Sequence, residues 1–136
     1  MYNHILVPVA PDHINDCAKS LDAASRLLSD GGTVSVLSVL EELPSYIGSY
    51  FPPEQVQKSV SDFEDKLNAS MESPKIGTHV VTGHPTNSIL DWAEEHKVDC
   101  IVVASHQPGL SDYLIGSTAA RVVRHAHCSV VVLRDK

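Results

Sequence analysis

Residues Cys100-Ile101-Val102-Val103-Ala104, entered through Asp99, form an apolar run with no polar residue at alternate positions. A strand with one wet face alternates, whereas a continuous run is buried on both faces, as in a parallel sheet covered by helices. Ile5-Leu6-Val7-Pro8-Val9 repeats the pattern near the start. Three further strands are expected. Thr33–Leu40 is β-branched and partly alternating, Ile76–Thr82 is weaker and nearer an edge, and Ser129–Leu133 closes the series.

Helical spacing fills the intervals. From Asn15 to Ser29, Cys17, Ala18, Leu21, Ala24, Leu27 and Leu28 recur at three- and four-residue steps, and Asp30-Gly31-Gly32 is expected to end that helix. Glu54 to Met71 carries Val56, Val60, Phe63 and Leu67, and Thr86 to His96 carries Ile89, Leu90, Trp92 and Ala93. A last helix is expected over Ala119–Ala126. Alternating strands and helices predict an α/β fold: a Rossmann-like three-layer α/β/α sandwich on a five-stranded parallel sheet. The expected strand order is 3-2-1-4-5, which puts the topological switch, and hence a ligand crevice, between the first and fourth strands. The segment Glu41–Pro53 holds Pro44, Pro52 and Pro53 with Tyr46, Tyr50 and Phe51, so no regular element fits it. It reads as a lid, an interface patch or a plain connection.

A chain of 136 residues suits one domain, 1–136, with its own core. With 10 basic against 17 acidic residues and a formal charge of -7, it has no basic stripe for nucleic acid, and bulk repulsion disfavours anionic membranes. No apolar run approaches the ~20 residues needed for membrane insertion. Cys17, Cys100 and Cys128 are widely spaced and odd in number, which suits reduced thiols and a cytoplasmic location.

The chemistry-bearing stretch runs from Val103 through Ala104-Ser105-His106-Gln107-Pro108-Gly109 to Gly116-Ser117-Thr118. A strand that leads through a loop to Gly-Ser-Thr at a helix start offers N–H groups, two hydroxyls and a positive helix end to a phosphate. Ser117 serves equally well as a simple helix cap. His106 is a further donor or a packing residue, and Gln107 supplies an amide or narrows the site. Pro8, Val9 and Ala10 line the crevice from the first strand. His125-Ala126-His127-Cys128 holds soft-metal ligand types, yet its spacing is not that of a zinc ribbon. No nucleophile stands at readable spacing from a base, so efficient catalysis is not expected.

The start Asn3-His4-Ile5-Leu6-Val7-Pro8-Val9, the Gly83-His84-Pro85 turn and the stretch Ala104-Ser105-His106 through Gly116-Ser117-Thr118-Ala119-Ala120-Arg121-Val122-Val123-Arg124-His125-Ala126 resemble the universal stress protein family over nearly the whole chain. Ala-Ser-His-x-Pro and Tyr113-Leu114-Ile115-Gly116-Ser117 are similar to the F and G type of small stress proteins. The resemblance implies a homodimer formed through the last strand, Ser129–Leu133, or a higher oligomer. It also implies nucleotide as partner: ATP, with or without Mg2+, in one branch of the family, and slow hydrolysis at most. Val39 is similar to the family position whose backbone meets adenine. That branch carries Gly, two residues, Gly, nine residues, then Gly and Ser or Thr. Here Ala104 and Gln107 replace the first two glycines, eight residues (Pro108–Ile115) precede Gly116, and Ala10 stands at the usual aspartate. Two readings follow: an ATP-binding stress-signalling switch, or an interaction protein of the same fold that binds no nucleotide. A nucleotide hydrolase or phosphotransferase is a weaker third.

Overall fold

The computed structural model describes residues 1–10, 18–40, 61, 62, 65, 76–104 and 117–134. Strand β1 (Tyr2–Pro8) is followed by helix α1 (Ala18–Leu27) and strand β2 (Leu28–Leu40). Strand β3 (Ile76–Thr82), helix α2 (Pro85–Glu95), strand β4 (Cys100–Ala104), helix α3 (Ser117–His125) and strand β5 (Ser129–Leu133) complete the order. All strand pairs are parallel, in the order β3-β2-β1-β4-β5. The expected sheet and strand order are therefore the ones observed, with the weaker Ile76–Thr82 strand at one edge and Ser129–Leu133 at the other.

Burial explains why the two apolar runs are central. Ile5, Leu6, Val7, Cys100, Ile101 and Val102 are fully buried at both parities, so both faces of β1 and β4 are covered. Leu6, Leu37, Val39, Ile101 and Val103 pack with Ile89, Trp92 and Ala93 of α2 and Ala119 and Val122 of α3. Ile5, Val7, Val9, Val34, Val36, Cys100 and Val102 pack on the other face with Ala24 of α1. Each buried Ile, Leu or Val stabilises by about 1.5–3 kcal/mol relative to exposure.

The first helix differs from expectation at its carboxyl end. Asp30-Gly31-Gly32 does not terminate it: the helix stops at Leu27, and Leu28 already pairs with Tyr2. The next pair is His4 with Thr33, so five steps along β2 match two along β1. The surplus is absorbed around Gly31, whose φ of 81° is the left-handed conformation that glycine adopts without penalty. The last helix also begins earlier than expected, at Ser117. The expected helix over Glu54–Met71, the Glu41–Pro53 connection and Cys17 lie almost wholly or wholly outside the described residues.

Helix α2 has defined ends. Pro85 occupies its first position, where a missing N–H costs nothing, and His84 Nδ1 accepts from the Asn87 N–H at 3.4 Å. At the other end Val98 N–H donates to Ala93 O at 2.9 Å and Lys97 N–H to Glu94 O at 3.4 Å. This is a Schellman closure with His96 as C-cap. Its left-handed residue is Lys97, at φ 56°, rather than glycine.

Asp99 joins the starts of the two central strands. Its carboxylate accepts from the N–H of Asn3 at 2.9 Å and of His4 at 3.0 Å, while its own N–H donates to His4 O at 3.0 Å. Burial alone would raise this carboxyl, but the N–H groups of Asn3, His4 and Asp99 and the nearby His4 ring outweigh it and hold it below its usual range.

Candidate functional site

The topological switch of the sheet lies between β1 and β4. Their ladder pairs Ile5 with Cys100 and Leu6 with Ile101. Continued, that register would set Pro8 against Val103 and Val9 against Ala104. Val9 N–H points to β2, donating to Leu37 O at 2.9 Å, so by alternation the Pro8 nitrogen faces β4. Proline has no hydrogen to give there. The ladder therefore lacks one donor on the β4 side of Pro8, at the switch point.

Val9 is fixed from both its polar groups. Besides the bond to Leu37, its carbonyl accepts from Ser38 Oγ at 2.8 Å, and Ser38 is fully buried. Pro8 is half-buried and Ala10 exposed, so the chain emerges from the core over these three residues. Val39 and Val103 are buried members of the core on the α2 and α3 face, while Ala104 is exposed at the end of β4. Sheet order thus brings the carboxyl ends of β2, β1 and β4 side by side.

Helix α3 follows β4 in the chain, and its first turn carries Ser117 and Thr118. Ser117 is exposed and Thr118 half-buried, both inside the helix, and Ala119 and Val122 anchor it on the core. The first N–H groups of a helix have no acceptor within it, and its aligned dipoles leave partial positive charge there. Arg124 and His125 occupy the opposite, negative end, a favourable arrangement. Of the sequence-derived site residues, Pro8, Val9, Ala10, Val39, Val103, Ala104, Ser117 and Thr118 are therefore located. Ser105, His106, Gln107 and Gly116 lie outside the described residues, as do Asp112 and the aromatic residues Tyr46, Tyr50 and Phe51. Ser38 carries no mark in the sequence, because a serine within a strand gives no sign that its hydroxyl meets a carbonyl 29 residues away.

Burial governs the two described thiols, Cys100 and Cys128. Burial, then Cys128 and Asp99 nearby, push the Cys100 thiol up to about 11, so it packs as a small apolar group. Cys128 is also raised, first by burial, and packs against the core. Among the described residues no group of three His, Cys, Asp or Glu side chains could hold a metal ion. Among them, too, no helix is long and apolar enough to cross a membrane.

The family model for the universal stress protein family matches residues 1–134. The chain belongs to the universal stress protein family. Universal stress protein G of Shigella flexneri is 29% identical over 148 aligned residues, covering 98% of this chain and 100% of the relative. Among solved structures, hypothetical protein MJ0577 superposes with a TM-score of 0.81 at 24% identity, covering 100% of this chain and 98% of that one. A universal stress protein in complex with cAMP gives a TM-score of 0.54 at 22% identity, covering 99% and 98%. A family protein from Arabidopsis thaliana with AMP bound gives 0.53 at 17%, covering 98% and 92%. At these identities the likeness is one of fold.

Proposed function

We propose that this universal stress protein binds an adenine nucleotide, ATP with or without Mg2+, across the carboxyl ends of β1 and β4 and works as a dimeric cytoplasmic switch of one domain, residues 1–136. The observation that carries the reading is the donor missing at Pro8 on the β4 side of β1, at the switch point, with the first turn of α3 following β4 in sequence. Val9, Ala10 and Val39 would meet the base and ribose, and Val103, Ala104, Ser105, His106 and Gln107 would flank the phosphates. Gly116, Ser117 and Thr118 would hold the phosphates through N–H groups and hydroxyls. The nucleotides carried by two structures of the same fold, cAMP and AMP, support the ligand class. Dimerisation would pair the outer edge of β5, whose Val130–Leu133 are half-buried on both faces.

Thermal unfolding with and without ATP and magnesium tests it. Ligand at 100 times its Kd stabilises by about 2.7 kcal/mol, a shift on the order of 10 °C for a chain of this size. Gly116→Asp, which sets a like charge against the phosphates, is expected to erase the shift. No shift at millimolar ATP favours the second reading, an interaction protein of the same fold, which the residues Ala10, Ala104 and Gln107 support.

A further inference from the structure

We propose that His79, seated with His4 and His96 around Trp92, forms a proton-sensitive latch that holds β3 and the carboxyl end of α2 to the sheet and loosens that corner in mild acid. The cluster is independent of the nucleotide reading: it sits on the α2 face, and none of its members belongs to the candidate site.

The geometry ties four elements together. His96, the C-cap of α2, stacks on the Trp92 indole with centroids 3.8 Å apart and planes 14° apart. His79 of β3 lies against the same indole at 4.9 Å, and His4 of β1 meets it edge-on at 5.8 Å. His79 and His96 are 6.5 Å apart. The hydrogen bonds assign tautomers, because a carbonyl only accepts. His96 Nδ1 must donate to Trp92 O at 2.9 Å, and His4 Nδ1 to His96 O at 3.0 Å. In the neutral His4 ring Nε2 is then an acceptor, met by the Ser35 hydroxyl of β2 at 2.8 Å. Gly77 leaves room for the arrangement, since a Cβ there would lie 3.3 Å from His79 Nε2.

His79 is exposed, and among the described residues no carboxylate acts on it to balance a proton. Its pKa is lowered first by desolvation, then by His96 and His4. From β2, Ser35 and Leu37 bring no charge to this corner. From α2 and its end come His96, Asp91, Glu94, Glu95 and Lys97, all solvent-exposed. Asp99 lies beside His4, its carboxylate engaged by the N–H groups of Asn3 and His4. A group whose folded pKa is lowered is neutral in both states above its unfolded value of about 6.5, and adds nothing against folding there. As pH falls below that value the opened form takes the proton first, so the corner loses protection down to the folded pKa.

Hydrogen exchange of the intact chain between pH 7.5 and 5.5, normalised to intrinsic amide rates, reads the latch. Peptides covering 76–82 and 90–98 should lose protection by about three-fold or more at pH 5.5, while β4 stays unchanged. His79→Phe keeps a ring against Trp92 without a proton and should hold both peptides protected at either pH. His79→Lys should leave them loosened even at pH 7.5. Trp92 is the only tryptophan, so its emission should report the same transition. Flat protection in the natural chain, or an unchanged pH response in His79→Phe, overturns the proposal.

Discussion

Replacing Ser38 by alanine removes one oxygen from the fully buried part of β2, beside the end of β1. The lost contact is the 2.8 Å bond from Ser38 Oγ to Val9 O. A neutral hydrogen bond contributes about 1 kcal/mol net, but a buried carbonyl left without its partner raises the cost to about 1–3 kcal/mol. Val9 is itself buried, and its N–H remains held by Leu37 O, so the carbonyl cannot turn freely to water. A loss of about 2 kcal/mol is therefore expected, or about 8 °C in Tm for a chain of this size. Urea unfolding followed by far-ultraviolet circular dichroism measures it, with an unchanged m value required. If the reading of the crevice is right, ATP affinity in Ser38→Ala falls as well, because Val9 and Ala10 lose their fixed position. A stability change below about 0.5 kcal/mol would mean that the carbonyl is satisfied some other way, and would refute the reasoning.

Lys97→Gly is expected to raise stability by about 0.5–1 kcal/mol, since Lys97 closes α2 at φ 56° where glycine carries no side-chain penalty; urea midpoints check it. Val131→Asp, on the exposed-edge strand β5, should convert the expected dimer to monomers by light scattering. An unchanged mass would remove β5 from the interface.

What the sequence carried was whatever depends on neighbours along the chain. The unbroken runs at Ile5–Val9 and Cys100–Ala104 announce strands covered on both faces, and those strands sit at the middle of the observed sheet. Trp92 and Ile89 stand on the buried stripe that their spacing implies. The expected helix end at Asp30-Gly31-Gly32 differs from the observed end at Leu27, because β2 needs the positive φ of Gly31 to absorb extra residues beside β1. The contacts of Ser38, Asp99 and His4 were not legible, because each partner lies between 29 and 96 residues away and chemistry alone does not select it. At the candidate site the end of β4 follows from the pattern, whereas α3 begins at Ser117, two residues before the expected Ala119. The altered stretch with Ser105, His106 and Gln107 must be read by ligand binding.

The clasp between Asp99 and the backbone of Asn3 and His4 bears on the order in which the chain is assembled. During synthesis β1 emerges first, yet one of its two partners follows almost a hundred residues later. Until then the β4-facing edge of β1 is open, and the apolar side chains of Ile5, Leu6 and Val7 await half of their cover. An open apolar edge invites pairing with other chains. Capture of the Asn3 and His4 N–H groups by the Asp99 carboxylate occurs directly ahead of Cys100, the first β4 residue to pair with β1. The same carboxylate can thus set the register in which the late strand docks, and shorten the time for which a nascent half-sheet stays adhesive.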